Sequence, residues 1–261
     1  MIRVSGRTRD LVPLLALIAV MLLWQLAAST GWINRAVLAS PSEVLAIAFV
    51  QVTDGSLVLH FGVSFARVLS GFALGATLGV ALGVTMGRIA SFRHAVNPIV
   101  EIMRPIPPLA WIPLAIIWFG IGEASKVFLI AVTVFFPVVV NTYKGVAHID
   151  PVLIRAARAL NARLGAVLIQ VALPAAMPDI ATGLRVGWSL SWAVLVAAEM
   201  LAAKSGLGFL VTEAMNLGSF DRVVFGIIAI GVVSVASDFV LRAIIDRYLL
   251  SWHQGAEKAR G

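Results

Sequence analysis

Six long apolar runs dominate this chain, at about 11–28, 62–87, 105–119, 127–143, 180–203 and 223–249. A helix needs about 20 apolar residues to cross the hydrocarbon of a bilayer. Of the 261 residues, 60% are hydrophobic and 13% charged, against roughly half and a quarter in a soluble domain. No soluble core hides that much apolar surface, so lipid is expected to solvate much of it. The expected fold class is all-α: a polytopic membrane helical bundle of about six transmembrane helices. The first run is too long for a signal-peptide core, and no small-residue cleavage site follows it, so a retained anchor is expected. The third, "RPIPPLAWIPLAIIWFG", is short and broken by prolines. Between the first two, "SPSEVLAIAFVQV" reads as an amphipathic helix capped by Ser40 or Ser42, with Pro41 in its first turn.

The basic residues orient these runs. The net charge of +7 suits nucleic acid, but in a membrane chain it suits inner loops better, and no nucleic-acid partner is expected. With the N-terminus inside, fifteen Lys and Arg fall on the inner side, among them Arg88, Arg93, Arg104, Lys144 and Arg185. Four fall outside (Arg35, Lys126, Lys204 and Arg222), and Arg67 is left within the second run. The positive-inside rule then predicts six spans with both termini cytoplasmic. Trp24, Trp32 and Trp252 sit near span ends, where interfacial aromatics belong.

Gly71, Gly75, Gly79, Gly83 and Gly87 recur at every fourth residue of the second run. Such a stripe makes a groove into which another helix backbone presses. The neighbour is open at this point, in the same subunit or in another.

Arg67 and Glu199 are charges inside apolar runs, and each needs a partner or water. Arg67 lies about five residues, and Glu199 about four, from the outer ends of their spans, the latter roughly 6 Å at helical rise. At similar depth they either pair or face one outer vestibule. Trp188, Trp192, Leu195 and Glu199 share one helical face, suited equally to lining a pathway or to packing.

Catalytic patterns are missing. No GxxxxGK[ST], HExxH or GxSxG occurs, and no cysteine is present. The four histidines are scattered. No catalytic residue, metal site or cofactor is expected on this chain. A transport-like membrane body without its own energy source points to a partner that supplies it.

The inner stretch "RAARALNARLGAVLIQVALP" (155–174) interrupts the apolar pattern. Asp150 caps and Pro151 starts a helix in which Leu153, Ile154, Ala157 and Leu160 share a face. Arg155 and Arg158 lie off that face. Asn161 tolerates the left-handed conformation needed for a turn. A second helix, about 163–173, is expected to lead to Pro174. Alone, the first helix suits either a membrane surface or another protein's groove.

This stretch resembles the "EAA" loop of permease subunits of binding-protein-dependent ABC importers. That pattern runs Glu-Ala-Ala, three residues, Gly, nine residues, Ile, one residue, Leu-Pro. Here Ala156-Ala157, Leu173-Pro174 and every spacing match, with Arg155 for Glu, Asn161 for Gly and Val171 for Ile. "RPIPPLAWIPLAIIWFGIGEASK" (104–126), "FFPVVVNTYKGV" (135–146), "GLRVGWSLSWAVLVAAEMLAAKSGLGFLV" (183–211) and "SFARVLSGFALG" (64–75) resemble the sulfonate, taurine and nitrate branch. The resemblance covers about 60–252, following an N-terminal helix and connecting segment (1–59) and preceding a tail (253–261).

The resemblance implies a permease in the bacterial cytoplasmic (inner) membrane for a small, anionic solute. It implies a second permease copy, two ATP-binding subunits that hold ATP and Mg, and an external solute-binding protein. Leu153, Ile154, Arg155, Ala156, Ala157, Arg158, Leu160, Asn161 and Pro174 would belong to the element that couples to the ATPase. Arg67, Trp188, Trp192 and Glu199 are the candidate pathway or intramembrane polar residues. "KSGLGFLVTEAMNLGSFD" would lie outside, with a short helix that helps receive the binding protein. The competing reading is a self-sufficient secondary carrier or channel, which inverted repeats and broken midplane helices would favour.

Overall fold

A computed structural model describes residues 6–30 and 39–250. The tail 253–261, with His253, and the aromatic anchors Trp32 and Trp252 lie outside the described residues. Among those described there are helices and turns and no strand. In chain order the helices are α1 (Gly6–Ser29), α2 (Pro41–Thr53), α3 (Ser56–Arg88), α4 (Ala90–Met103), α5 (Ile112–Phe119) and α6 (Glu123–Ala147). They continue with α7 (Pro151–Ala159), α8 (Leu164–Ala166), α9 (Leu173–Ala202), α10 (Leu207–Asn216) and α11 (Phe220–Ile244).

Four stretches are long and apolar enough to cross a membrane: Ser56–Arg88, Glu123–Ala147, Val167–Ala202 and Phe220–Leu249. They coincide with the second, fourth, fifth and sixth expected spans. The first expected span falls in α1, whose side chains are described from Leu15 onward. The third differs from expectation. Pro108–Phe119 is too short to cross alone and is joined to α4 with a bend of 93°. Pro105, Pro107 and Pro108 explain the break. Each lacks an N–H, and each disfavours helix in the residue before it. Helix α4, "ASFRHAVNPIVEIM", stands where the charge pattern suggests only an inner loop.

Ser40 is the α2 cap. Its Oγ accepts from Glu43 N at 3.3 Å, and Glu43 Oε2 accepts from Ser40 N at 2.8 Å. Pro41 fills the first turn. The expected amphipathicity is not seen. Only Val44 is buried, while Leu45, Phe49, Val50 and Val52 are exposed, so α2 is apolar around most of its circumference. Trp24 Nε1 donates to Ala39 O at 3.1 Å and ties α1 to the start of α2.

Helix α6 is the centre of the bundle, with α3 packed along one side and α9 along another. The glycine stripe makes the first contact, and its neighbour is in the same chain. A Cβ placed on Gly71 would come within 2.6 Å of Ile130, on Gly79 within 2.9 Å of Val138, on Gly83 within 2.6 Å of Thr142 and on Gly87 within 2.6 Å of Val146. At Gly75 it would meet the Ala131 carbonyl and Val134. The facing residues Ile130, Val134, Val138, Thr142 and Val146 also recur every fourth position, and all are β-branched. Their stiff χ1 angles present a fixed ridge that loses little side-chain entropy on packing. The rising numbers on both helices show that α3 and α6 run parallel. Helix α9 lies antiparallel to α6, with Gly183 against Pro137 and Asn141 and Gly187 against Val134.

Filling this groove is expected to separate α3 from α6. Gly79→Ala should lower thermal stability in detergent by about 1–3 kcal/mol, the usual cost of overpacking. Gly231 in α11 has nothing within 4 Å of an added Cβ. Gly231→Ala should be neutral or stabilising by about 0.5–1 kcal/mol. Equal responses at the two positions would refute the ridge-and-groove account.

Candidate functional site

Arg67 and Glu199 pair, and they do so within a larger network at one end of the bundle. Arg67 Nη1 donates to Glu199 Oε1 at 2.7 Å and to Ser205 O at 2.6 Å. Its other edge grips Glu123 in a two-pronged contact, Nε to Oε2 at 2.5 Å and Nη2 to Oε1 at 2.6 Å. Lys126 Nζ lies 3.3 Å from Glu123 Oε1. Two cations thus balance two carboxylates, which is what makes charge tolerable in an apolar surround. Arg67 is 4% and Glu199 1% exposed, so neither faces an open vestibule within the chain. One guanidinium binds α3 to the first residue of α6 and the last turn of α9.

Glu199 also organises the turn after α9. Its Oε2 accepts from Gly208 N at 2.8 Å. Ser64 Oγ donates to Glu199 Oε1 at 2.8 Å and accepts from Leu207 N at 2.9 Å. The first amides of α10, positive by their dipole, are therefore met by a carboxylate and a hydroxyl. Gly206 N donates to His60 Nδ1 at 2.9 Å. Gly206 has φ 123° and packs against the Glu199 carboxylate so closely that a Cβ there would collide with it. Sequence reasoning missed Glu123, Ser64, Ser205 and His60. Glu123 precedes Lys126 by three positions on α6, and that spacing was the available signal.

The tryptophan face packs inward. Trp192 is 2% exposed in the core with Leu195, and its indole nitrogen has no hydrogen-bond partner among the described residues. Trp188 Nε1 donates to Ser237 Oγ at 3.3 Å, and its ring meets Phe72 edge-on with centroids 5.0 Å apart. It forms one wall of an apolar cavity of about 470 Å³ between α3, α9 and α11. A second cavity, of about 590 Å³, lies between α6, α9 and the α4–α5 bend. Its lining includes Arg104, Thr133, Asn141 and Lys144.

At the opposite end from Arg67 stands α7. Asp150 Oδ1 accepts from Val152 N at 2.8 Å, and Pro151 is in the first turn. Asn161 ends the helix with φ 58°, the only non-glycine residue with positive φ among those described. The apolar face is split. Ile154 and Ala157 turn partly inward, and α7 packs on the segment Val167–Ala172. Val152, Leu153 and Leu160 are exposed, Leu160 by 83%, with Ala156 between them. Arg155 and Arg158 are exposed.

The second half of this stretch corrects the sequence reading. Pro174 does not end a helix. Val167–Ala172 is a π-helical segment that runs directly into α9. Pro174 has no N–H to give, and its ring crowds the carbonyl four residues before it. A widened turn just upstream lets the helix pass through.

The hub predicts a specific mutational pattern. Arg67→Met strands Glu199 and should cost about 3–5 kcal/mol, as for other broken buried pairs. Adding Glu199→Gln should recover part of that loss in thermal unfolding, because it removes the buried carboxylate left without its cation, whereas Glu123 is exposed and keeps Lys126 at 3.3 Å. Exchanging Arg67 and Glu199 should not restore stability, since a guanidinium at position 199 would face the amide of Gly208 with no acceptor to offer it.

Comparisons with known proteins agree with this architecture. The sequence matches the family described as binding-protein-dependent transport system inner membrane component over residues 75–249. The chain is 38% identical to the taurine transport system permease protein TauC of Escherichia coli (strain K12) over 252 residues, covering 94% of this chain and 91% of that one. It is 33% identical to the nitrate import permease protein NrtB of Synechocystis over 235 residues, covering 87% and 84%. In fold it is similar to a chain of the MetNI methionine ABC transporter, at a TM-score of 0.51 and 23% identity, covering 69% of this chain and 90% of that chain. The chain belongs to the binding-protein-dependent transport system inner membrane component family and is a multi-pass ABC transporter permease.

Proposed function

We propose that this chain forms half of the translocation pathway of an ATP-driven importer for a small anion of the sulfonate, taurine or nitrate type. A second copy completes the membrane body. Two ATP-binding subunits, which hold ATP and Mg, dock on the α7 end, and a solute-binding protein delivers solute to the Arg67 end. The positive-inside count supports placing α7 and both termini in the cytoplasm. The relatives' names support the solute class.

One observation carries the coupling role: a short capped helix presents an exposed apolar strip of Val152, Leu153 and Leu160 at the end of a membrane bundle. Water disfavours such a strip, and a groove on a partner would cover it. Ile154 and Ala157 hold the helix to the bundle, so the partner would meet Ala156 and Leu160 instead. Arg155 makes no ion pair among the described residues. An acidic residue of the ATPase is its expected partner where related loops carry Glu.

Co-expression with a candidate partner ATPase tests this. Ala156→Glu should abolish co-purification of the ATPase and ATP-driven uptake in proteoliposomes, while membrane insertion and thermal stability stay unchanged. Ala157→Glu should in addition lower stability, because it disturbs packing on the π-helical segment. Uptake by the wild-type chain without any ATPase would defeat the importer reading and favour a self-sufficient carrier.

A further inference from the structure

We infer that the cavity between α6, α9 and the α4–α5 bend binds the transported oxyanion, with Arg104 and Lys144 as its recognition charges. This rests on the importer reading above. The cavity spans a useful depth. Thr133 and Lys144 both line it and lie eleven residues apart on α6, about 16 Å along the helix axis. It therefore reaches from the α7 end, where Lys144 occupies the last turn of α6, to about the middle of the bundle.

Among the cations that make no ion pair with the described residues, Arg104 and Lys144 are the two that line this cavity. Arg67 is neutralised by Glu123 and Glu199, Arg185 by Asp246 at 2.5 Å, and Arg242 by Asp238 at 2.7 Å. Arg104 and Lys144 take part in no ion pair among the described residues, and no carboxylate lines their cavity there. Glu101 shares an adjoining crevice with both, but its carboxylate accepts from Asn97 Nδ2 at 2.7 Å and pairs with neither cation. Both cations are exposed at the cavity margin, so they attract an anion without the cost of burying an unpaired charge.

The walls suit passage rather than capture. Asn141 Nδ2 donates to Pro137 O at 2.8 Å, which fixes the amide at the cavity wall. Thr133 Oγ1 donates to Leu129 O at 2.7 Å, which leaves the hydroxyl no proton for an anion. Leu190, Ala193 and Val194 contribute apolar surface. About 590 Å³ admits a small oxyanion with part of its water shell. Conduction needs a site that is attractive enough to enter and weak enough to leave. Two screened cations on an apolar wall meet that condition, whereas the locked, buried Arg67 does not.

Saturation-transfer NMR of ethanesulfonate with the purified permease–ATPase complex, without binding protein, tests the site. The wild type should give a signal that nitrate competes away. Arg104→Gln with Lys144→Gln should reduce it at least about tenfold. Arg104→Lys with Lys144→Arg should keep it, as should Arg93→Gln. In proteoliposomes the Gln pair should lower ATP-driven uptake, while Arg93→Gln should leave uptake and basal ATP hydrolysis within about twofold of wild type. A signal that is absent from the wild type, or retained by the Gln pair, overturns the inference. So does loss of a co-purifying anionic lipid from the Gln pair with the ethanesulfonate signal intact, which would mark a headgroup site. ATPase-independent uptake would instead remove the importer reading and leave the binding result standing.

Discussion

The parallel contact between α3 and α6 is the interaction on which the rest of the bundle depends. In lipid, helices gain little from hiding apolar surface, because the tails are as apolar as the side chains. What remains is close atomic contact, and contact is closest where one surface has no side chains at all. The five glycines of α3 supply the groove, and five β-branched residues of α6 supply a ridge with the same four-residue repeat. The match of repeats is as important as the glycines themselves, since a stripe of flexible side chains would have to be ordered on packing. With α6 seated, its other faces are positioned to receive α9 through Gly183 and Gly187.

The charge hub then sets the register that packing alone leaves soft. A glycine groove tolerates sliding by one turn, because the repeat is regular. Arg67 does not. Its fork must meet Glu123 at the start of α6 and Glu199 at the end of α9 together, and a shift of one turn breaks both. A polar network whose buried members, here Arg67, Lys126, Ser64 and Glu199, all have partners is a strong device for selecting one arrangement among similar ones. Ser64 and the amides of Leu207 and Gly208 extend the same constraint to the turn before α10.

Much of this was legible in the sequence, for identifiable reasons. Depth arithmetic on two spans placed Arg67 and Glu199 at one level and left pairing or a shared vestibule, and the structure shows the pair. The Asp150 cap and the Asn161 turn followed from local chemistry that does not depend on tertiary structure. Elements set by context were less legible. Helix α4 carries Arg93, His94 and Glu101 and resembles a loop by charge, although its apolar residues Phe92, Val96 and Val100 have helical spacing and pack on the bundle. Glu123 looked like a loop residue because it opens α6 at a span boundary. Pro174 looked like a terminator, because the usual rule assumes an α-helical ladder and the chain uses a π-helical one.

That π-helical segment changes how the α7 end relates to the Arg67 end. The sequence suggests a loop with two short helices hinged to a separate span. Instead, Val167–Ala202 is a continuous helix of 36 residues, about 50 Å long, with α7 packed on its first turns and Glu199 in its last. Its weakest point is the π turn, where the regular ladder is already interrupted. Beyond that point the hub fixes α9 to α3 and α6, so these three helices are built to move as one body. The α4–α5 bend contains the proline break and borders the cavity lined by Arg104 and Lys144. A displacement applied at α7 is therefore expected to act first on the π turn and on the width of that cavity. The Arg67 end would follow only through rotation of the whole three-helix block.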